Sequence, residues 1–258
     1  MIEEPYRWVE AINNRREYIE MQLASGSPIV ALGCTEGILF VTISRGREKI
    51  FEIYDRIAMG AIGHPGDIER LRMAAIELAS TEGFTRSAAD VSLRRLAFYS
   101  LSPVMKTAFE QVYGAPYLAR LLFAEVGATA DEDFFLRLEY DGAIFTNTSA
   151  PTTGPDGFAV ISGSHAVSEA METHLRAEHK PGATLAKSLD LGLNVLAVAQ
   201  LVSDEANGAQ PSREQIAVAR NQPAGAGAIE AALLERDNAR AIRYRRLSAA
   251  EMQLTVGE

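Results

Sequence analysis

The chain has 258 residues, 47% of them hydrophobic and 23% charged, which fits one soluble globular domain with a substantial core. A formal charge of −9 and an isoelectric point near 5.1 argue against a nucleic-acid or anionic-membrane binder, since both need clustered Lys and Arg. A single cysteine, Cys34, excludes an internal disulfide or a cysteine-rich metal site. With no signal-peptide pattern and no apolar run near the roughly 20 residues of a membrane helix, a cytoplasmic protein without membrane contact is expected.

Residues 3–23 predict an amphipathic helix opening at Pro5, with Trp8, Ile12, Ile19 and Leu23 recurring at helical spacing. Its apolar side packs on its own domain or on a neighbouring subunit. Two apolar runs follow, 29–33 and 38–43, rich in Val, Ile, Leu and Phe like strands buried on both faces. Gly37 supplies the permissive backbone for the short connection between them. Residues 49–53 and 56–63 read as third and fourth strands, so the first four strands are expected to be antiparallel neighbours in one sheet. A helix over 67–83 starts at a capping Asp67. A second long helix over 87–113 must end or kink at Pro103, which has no amide proton and clashes one turn back.

Strands resume at 118–126 and 134–140, and Asp141-Gly142 signals a hairpin to 143–146. A Thr, Pro and Gly-rich loop runs to Gly157, before a strand at 158–161 and helices at 166–176 and 183–201. The polar stretch 203–227 is expected to hold a surface loop. A last hairpin is expected from 229–234 and 241–247, and the tail 248–258 has no clear pattern. No repeat or linker divides the chain, so residues 1–258 form one domain with sheets inside and helices outside.

The ordered set of segments resembles the α-type subunit of the bacterial proteasome core particle. The helix with Arg15-Arg-Glu-Tyr-Ile-Glu20 is similar to the N-terminal helix of α-type subunits. Ile29-Val-Ala-Leu-Gly33 with Gly37-Ile-Leu-Phe-Val41 resembles the family's first hairpin. Lys49-Ile-Phe-Glu-Ile-Tyr-Asp-Arg56, Gly63, Pro116-Tyr117, Tyr140-Asp-Gly142 and Ala241-Ile-Arg-Tyr-Arg-Arg-Leu247 follow in the family's order. The resemblance implies an α+β, four-layer αββα sandwich of two antiparallel sheets, the N-terminal-nucleophile hydrolase fold. It also implies a homo-heptameric ring that caps a ring of proteasome β subunits and passes unfolded polypeptide. The loop 147–157, the stretch 203–227 and the turn Ser162-Gly-Ser164 depart from the family pattern.

Active members of the family use a threonine freed as residue one, whose hydroxyl attacks the peptide carbonyl while an amine and a lysine manage the proton. Aligned on Gly33, that position falls on Ile29, which has no nucleophilic atom, and the acidic partner falls near Ile43. The chain is therefore expected to be non-catalytic and to need no cofactor. Three alternatives carry a nucleophile: Ser27 after cleavage at Gly26, Cys34, and Thr35. Ser27 would make the chain a self-compartmentalising peptidase; a metabolic amide hydrolase on the same fold is a third reading. Cys34 reads as a small core residue and Thr35 as a turn former. His64, His165, His174 and His179 lack metal-ligand spacing and read as solvated helix-end residues.

The resemblance further implies that Lys49 pairs with the C-terminal carboxylate of an AAA-type ATPase activator, that Gly63 lines the same pocket, and that Glu17 takes part in gate opening. Residues 1–25 would form the gate and its helix, with 1–5 the short axial segment.

Overall fold

The computed structural model describes residues 5–111, 113–146, 157–204, 211–221, 227–237 and 242–256. Among them, two five-stranded sheets lie between helical layers, the αββα arrangement of N-terminal-nucleophile hydrolases.

The first sheet has the order β10-β9-β2-β1-β8, from β1 (Ile29–Cys34), β2 (Gly37–Ser44), β8 (Phe158–Ile161), β9 (Ala228–Glu235) and β10 (Tyr244–Arg246). The second has the order β3-β4-β5-β6-β7, from β3 (Ile50–Tyr54), β4 (Ile57–Gly63), β5 (Ala119–Glu125), β6 (Phe134–Leu138) and β7 (Ile144–Thr146). Every pairing is antiparallel. The expectation that the first four strands share a sheet is therefore wrong. β1 pairs with β2 and β3 with β4, but the chain changes sheet between the two hairpins.

Alternation along each strand builds the layers. Val30, Leu32, Leu39 and Val41 point to α5 (His165–Glu178) and α6 (Leu185–Asp204), while Ile29, Ala31, Ile38 and Phe40 point to the facing sheet. In the second sheet Met59, Ala61, Leu121 and Phe123 meet α2 (Pro65–Thr85), and Ala58, Leu122, Ala124 and Phe135 complete the inner layer. Such strands are buried on both faces, so they read as continuous apolar runs. Each fully buried large aliphatic side chain contributes about 1.5–3 kcal/mol.

The helices differ from expectation where local chemistry is exact about position. α2 is capped by His64, whose Nδ1 accepts the Gly66 amide at 3.2 Å, with Pro65 in the first turn. Asp67 instead accepts the Leu118 amide at 3.0 Å and holds the entry to β5. The expected long helix over 87–113 is broken: a short 3-10 turn (Ala88–Asp90), α3 (Leu93–Leu96), a π turn (Ala97–Leu101) and α4 (Ser102–Glu110). Ser102 donates to the Ala97 carbonyl, and this wider turn precedes Pro103, which sits in the first turn of α4. A locally wider turn gives the proline ring room that a regular helix lacks.

The stretch 203–227 includes the end of α6 and α7 (Arg213–Asn221), and the tail carries α8 (Ala249–Val256). Most of the loop 147–157 and the turn of the last hairpin lie outside the described residues. α6 also corrects the expectation that no segment is long and apolar enough for a membrane: Leu185–Ser203 meets that test. It is a core helix, with Leu189, Val195 and Val198 fully buried against the first sheet.

α1 (Pro5–Leu23) anchors through Ile19 and Leu23, packed with Phe109 and Tyr140. Its decisive contact is charged. Arg120 of β5, 7% exposed, donates through Nη2 to both Glu20 oxygens at 2.6 and 2.7 Å and through Nε to Glu139 at 2.6 Å. Its Nη1 reaches the carbonyls of Ser162 (2.9 Å) and Gly163 (3.2 Å) beyond β8, and Tyr140 donates to Glu20 at 2.9 Å. Burial opposes the Arg120 charge, but Glu139 and Glu20 outweigh it and raise its pKa; burial and Glu20 push Tyr140 up as well. Removing one partner of such a network leaves buried charge without compensation. Arg120→Ala is expected to cost about 3–5 kcal/mol in urea unfolding, and a loss below about 1 kcal/mol, the scale of exposed pairs, would show that the network is not structural.

Candidate functional site: a buried lysine beside the start of the first hairpin

Ile29, the first residue of β1, is fully buried in the layer between the sheets. Its Cγ2 lies 3.0 Å from where a Cβ on Gly60 would stand, so β4 closes over it at a glycine. Ile29 pairs with Thr42 across the hairpin. The start of β1 is thus a packed aliphatic group.

Lys49, just before β3, turns toward the residues that lead into β1. Its Nζ donates to the Ser27 carbonyl and lies 3.3 Å from Thr42 Oγ1. Burial lowers its pKa to about 8, with Glu230 opposing that shift and Arg45 adding to it. Thr42 is itself fully buried, and its hydroxyl donates to the Pro28 carbonyl at 2.7 Å. A threonine beside a lysine of lowered pKa is a nucleophile–base pair in outline. Here the hydroxyl is committed to a carbonyl and walled from solvent, so it offers a substrate no approach.

The sequence pointed to neither Thr42 nor Glu230. Glu230 of β9 accepts the Lys49 amide at 3.0 and 3.1 Å and the Ile50 amide at 2.9 Å, clamping the start of β3 to the other sheet. Only the register of β9 on β2, with Glu230 opposite Thr42, brings it there.

The other candidates separate. Ser27 contributes its backbone carbonyl to Lys49 and is joined to α1 through Gly26, where a Cβ would lie 2.1 Å from Ile62. Cys34 closes β1 at 1% exposure, and burial foremost, with Glu36 nearby, pushes its thiol up to about 12, far from a reactive thiolate. Thr35 donates to Glu36 at 2.6 Å in the turn. Among the described residues no three His, Cys, Asp or Glu side chains group as a metal site. His179 is not a solvated helix-end residue: it packs edge-on against Phe158 at 5.5 Å and lies 3.3 Å from the Gly33 carbonyl. His64 serves as the α2 cap.

Lys49, the residue before β3, lies beside β4, which ends at Gly63. The Ala61 amide donates to the Lys49 carbonyl at 3.0 Å, two residues before Gly63. Gly63 has φ +137, and a Cβ there would stand 1.9 Å from the Leu118 carbonyl, which accepts the His64 amide at 2.7 Å. The glycine is required by its own chain, whatever approaches from outside. Glu17 is exposed on α1, one turn from the buried Ile19–Leu23 face. Gly63→Ala should cost about 2 kcal/mol or more and lower the melting temperature; an unchanged melting curve would contradict the close approach of β4 to Leu118.

A family model described as proteasome subunit matches residues 24–212. The proteasome subunit alpha of Parafrankia sp. (strain EAN1pec) is 32% identical over 252 residues, covering 94% of this chain and 90% of that protein. The proteasome subunit alpha of Streptomyces avermitilis is 31% identical, covering 94% and 85%. That of Nocardioides sp. is 29% identical, covering 96% and 87%. Matched along most of its length to these alpha subunits, the chain belongs to the proteasome subunit family as a non-catalytic, α-type member.

Proposed function

We propose that this chain forms the ring that caps a proteolytic β ring, admits unfolded polypeptide and docks an ATPase activator. The observation that carries the reading is the match to proteasome alpha subunits along most of the chain, and the packed Ile29 at the start of β1 fits it. Exposed apolar residues supply surfaces for neighbours. Trp8, Val9, Tyr18 and Met21 lie along α1, and Leu78, Phe84, Phe98, Tyr99 and Val104 lie along α2 and the π turn into α4. So many large apolar side chains on two helical faces favour burial against other subunits. The homo-heptameric closure and the cytoplasmic setting come with this reading, as does a gate formed by the residues ahead of α1.

Co-production with a β partner tests it. A full-length chain in a ring, with peptidase activity only when β is present, is the expected outcome. Hydrolysis by this chain alone, lost on Ser27→Ala with a chain beginning at Ser27, would put the peptidase reading first.

Docking assigns Lys49 a new partner. The ammonium now held by the Ser27 carbonyl would meet an activator's terminal carboxylate, a charge-assisted contact in a partly desolvated groove. Gly63 shapes the strand end beside it, and Glu17 on α1 stands at the gate side. The lowered Lys49 pKa of about 8 sets the pH window. Below it the lysine is charged and docks; above it the contact fades, so raising pH from 7 to 9 should weaken a carboxylate-terminated activator peptide about tenfold. Lys49→Ala should weaken binding and remove that dependence, and an amidated peptide should show none. Equal binding of the free and amidated peptides would remove Lys49 from the docking site.

A further inference from the structure

A second polar cleft lies on the other helical layer, away from Lys49. It is bounded by the end of α5, the first half of α6 and α7, and encloses about 690 Å³. Lys180, Lys187, Arg213 and Arg220 line it, against two carboxylates, Glu178 and Asp190. Both carboxylates are committed: Glu178 to Arg213 at 2.8 Å and Asp190 to Arg220 at 2.6 Å. Arg220 is held further by Asn194 at 3.1 Å. Lys180 and Lys187 have no ion-pair partner among the described residues. The cleft therefore carries surplus positive charge on a chain whose formal charge is −9.

Its polar lining includes an unanswered donor. Ser188, 1% exposed, has a buried hydroxyl without a hydrogen-bond partner. A serine inside a helix commonly donates to the carbonyl one turn back; this one does not. Buried polar groups left unpaired are rare and point to a missing partner. The remaining wall is apolar, with Leu191, Ile216 and Ala217. The site is also anchored, because the Leu185 amide at the start of α6 donates to Glu36 at 2.9 Å and the Ala183 carbonyl accepts the Thr35 amide at 3.0 Å.

We infer that this cleft binds a small phosphomonoester. A phosphoryl group carries up to two charges on three oxygens, which matches two free ammonium groups, the outer guanidinium N–H groups and a hydroxyl donor. A lone carboxylate would use fewer of these donors. The volume exceeds a bare phosphate, and the apolar wall suits the organic part of the ester. The site needs no catalytic step and does not rest on the ring-forming role.

Titration calorimetry on the full chain with phenyl phosphate, inorganic phosphate and benzoate tests the inference. Phenyl phosphate should bind saturably at one site per chain, more tightly than inorganic phosphate and at least about tenfold more tightly than benzoate. Lys187→Met and Lys180→Met, at exposed positions that leave folding intact, should each weaken it about tenfold, and Ser188→Ala should weaken it by a smaller factor. Lys106→Met on α4 should change nothing. Preference for inorganic phosphate over the ester would overturn the organic-ester assignment in favour of a phosphate-ion site. Equal binding of benzoate, absence of saturation, or indifference to both lysine variants would overturn the site itself.

Discussion

The buried guanidinium of Arg120 joins three parts of the chain that share no strand. It sits in β5, grips Glu20 on α1, Glu139 beyond β6, and the carbonyls of Ser162 and Gly163 that leave β8 in the other sheet. A buried cation is tolerated only where its hydrogen-bonding capacity is met, and here both carboxylates and both carbonyls meet it. This contact holds α1 together with the buried Ile19 and Leu23 of its apolar face. The exposed side chains Trp8, Tyr18 and Met21, and Glu17 among them, are therefore presented in positions that Arg120 holds.

Similar charged pins close the sandwich elsewhere. Asp133, 5% exposed, takes Arg236 through both oxygens at 2.7 and 2.8 Å and also accepts the Gly127 amide. Glu230 ties β9 to the first residues of β3. Between these pins the sheets meet through Ile29, Ile38, Phe40, Leu122 and Phe135. That apolar layer reaches the start of β1 and continues through Ile29. Lys49 lies near it as a desolvated group that donates to the Ser27 carbonyl.

Much of this was legible in the residues themselves. The strands buried on both faces announced themselves as unbroken apolar runs, because layers on either side leave no face for polar groups. The turn glycine Gly37, with φ +148, and the break near Pro103 follow from backbone sterics that act locally. What only the tertiary structure decided is how these pieces are shared between sheets. Hairpins β1–β2 and β3–β4 carry the same alternation, and their separation arises because β9 and β8 flank the first hairpin while β5 flanks the second. The partners of Arg120 lie 100 and 42 residues away, and Glu230 lies 181 from Lys49. Local sequence dictates which residues must be buried and where the backbone must turn. Which distant charge meets which is settled only when the layers close, since that choice depends on strand order and register rather than on any neighbour in the chain.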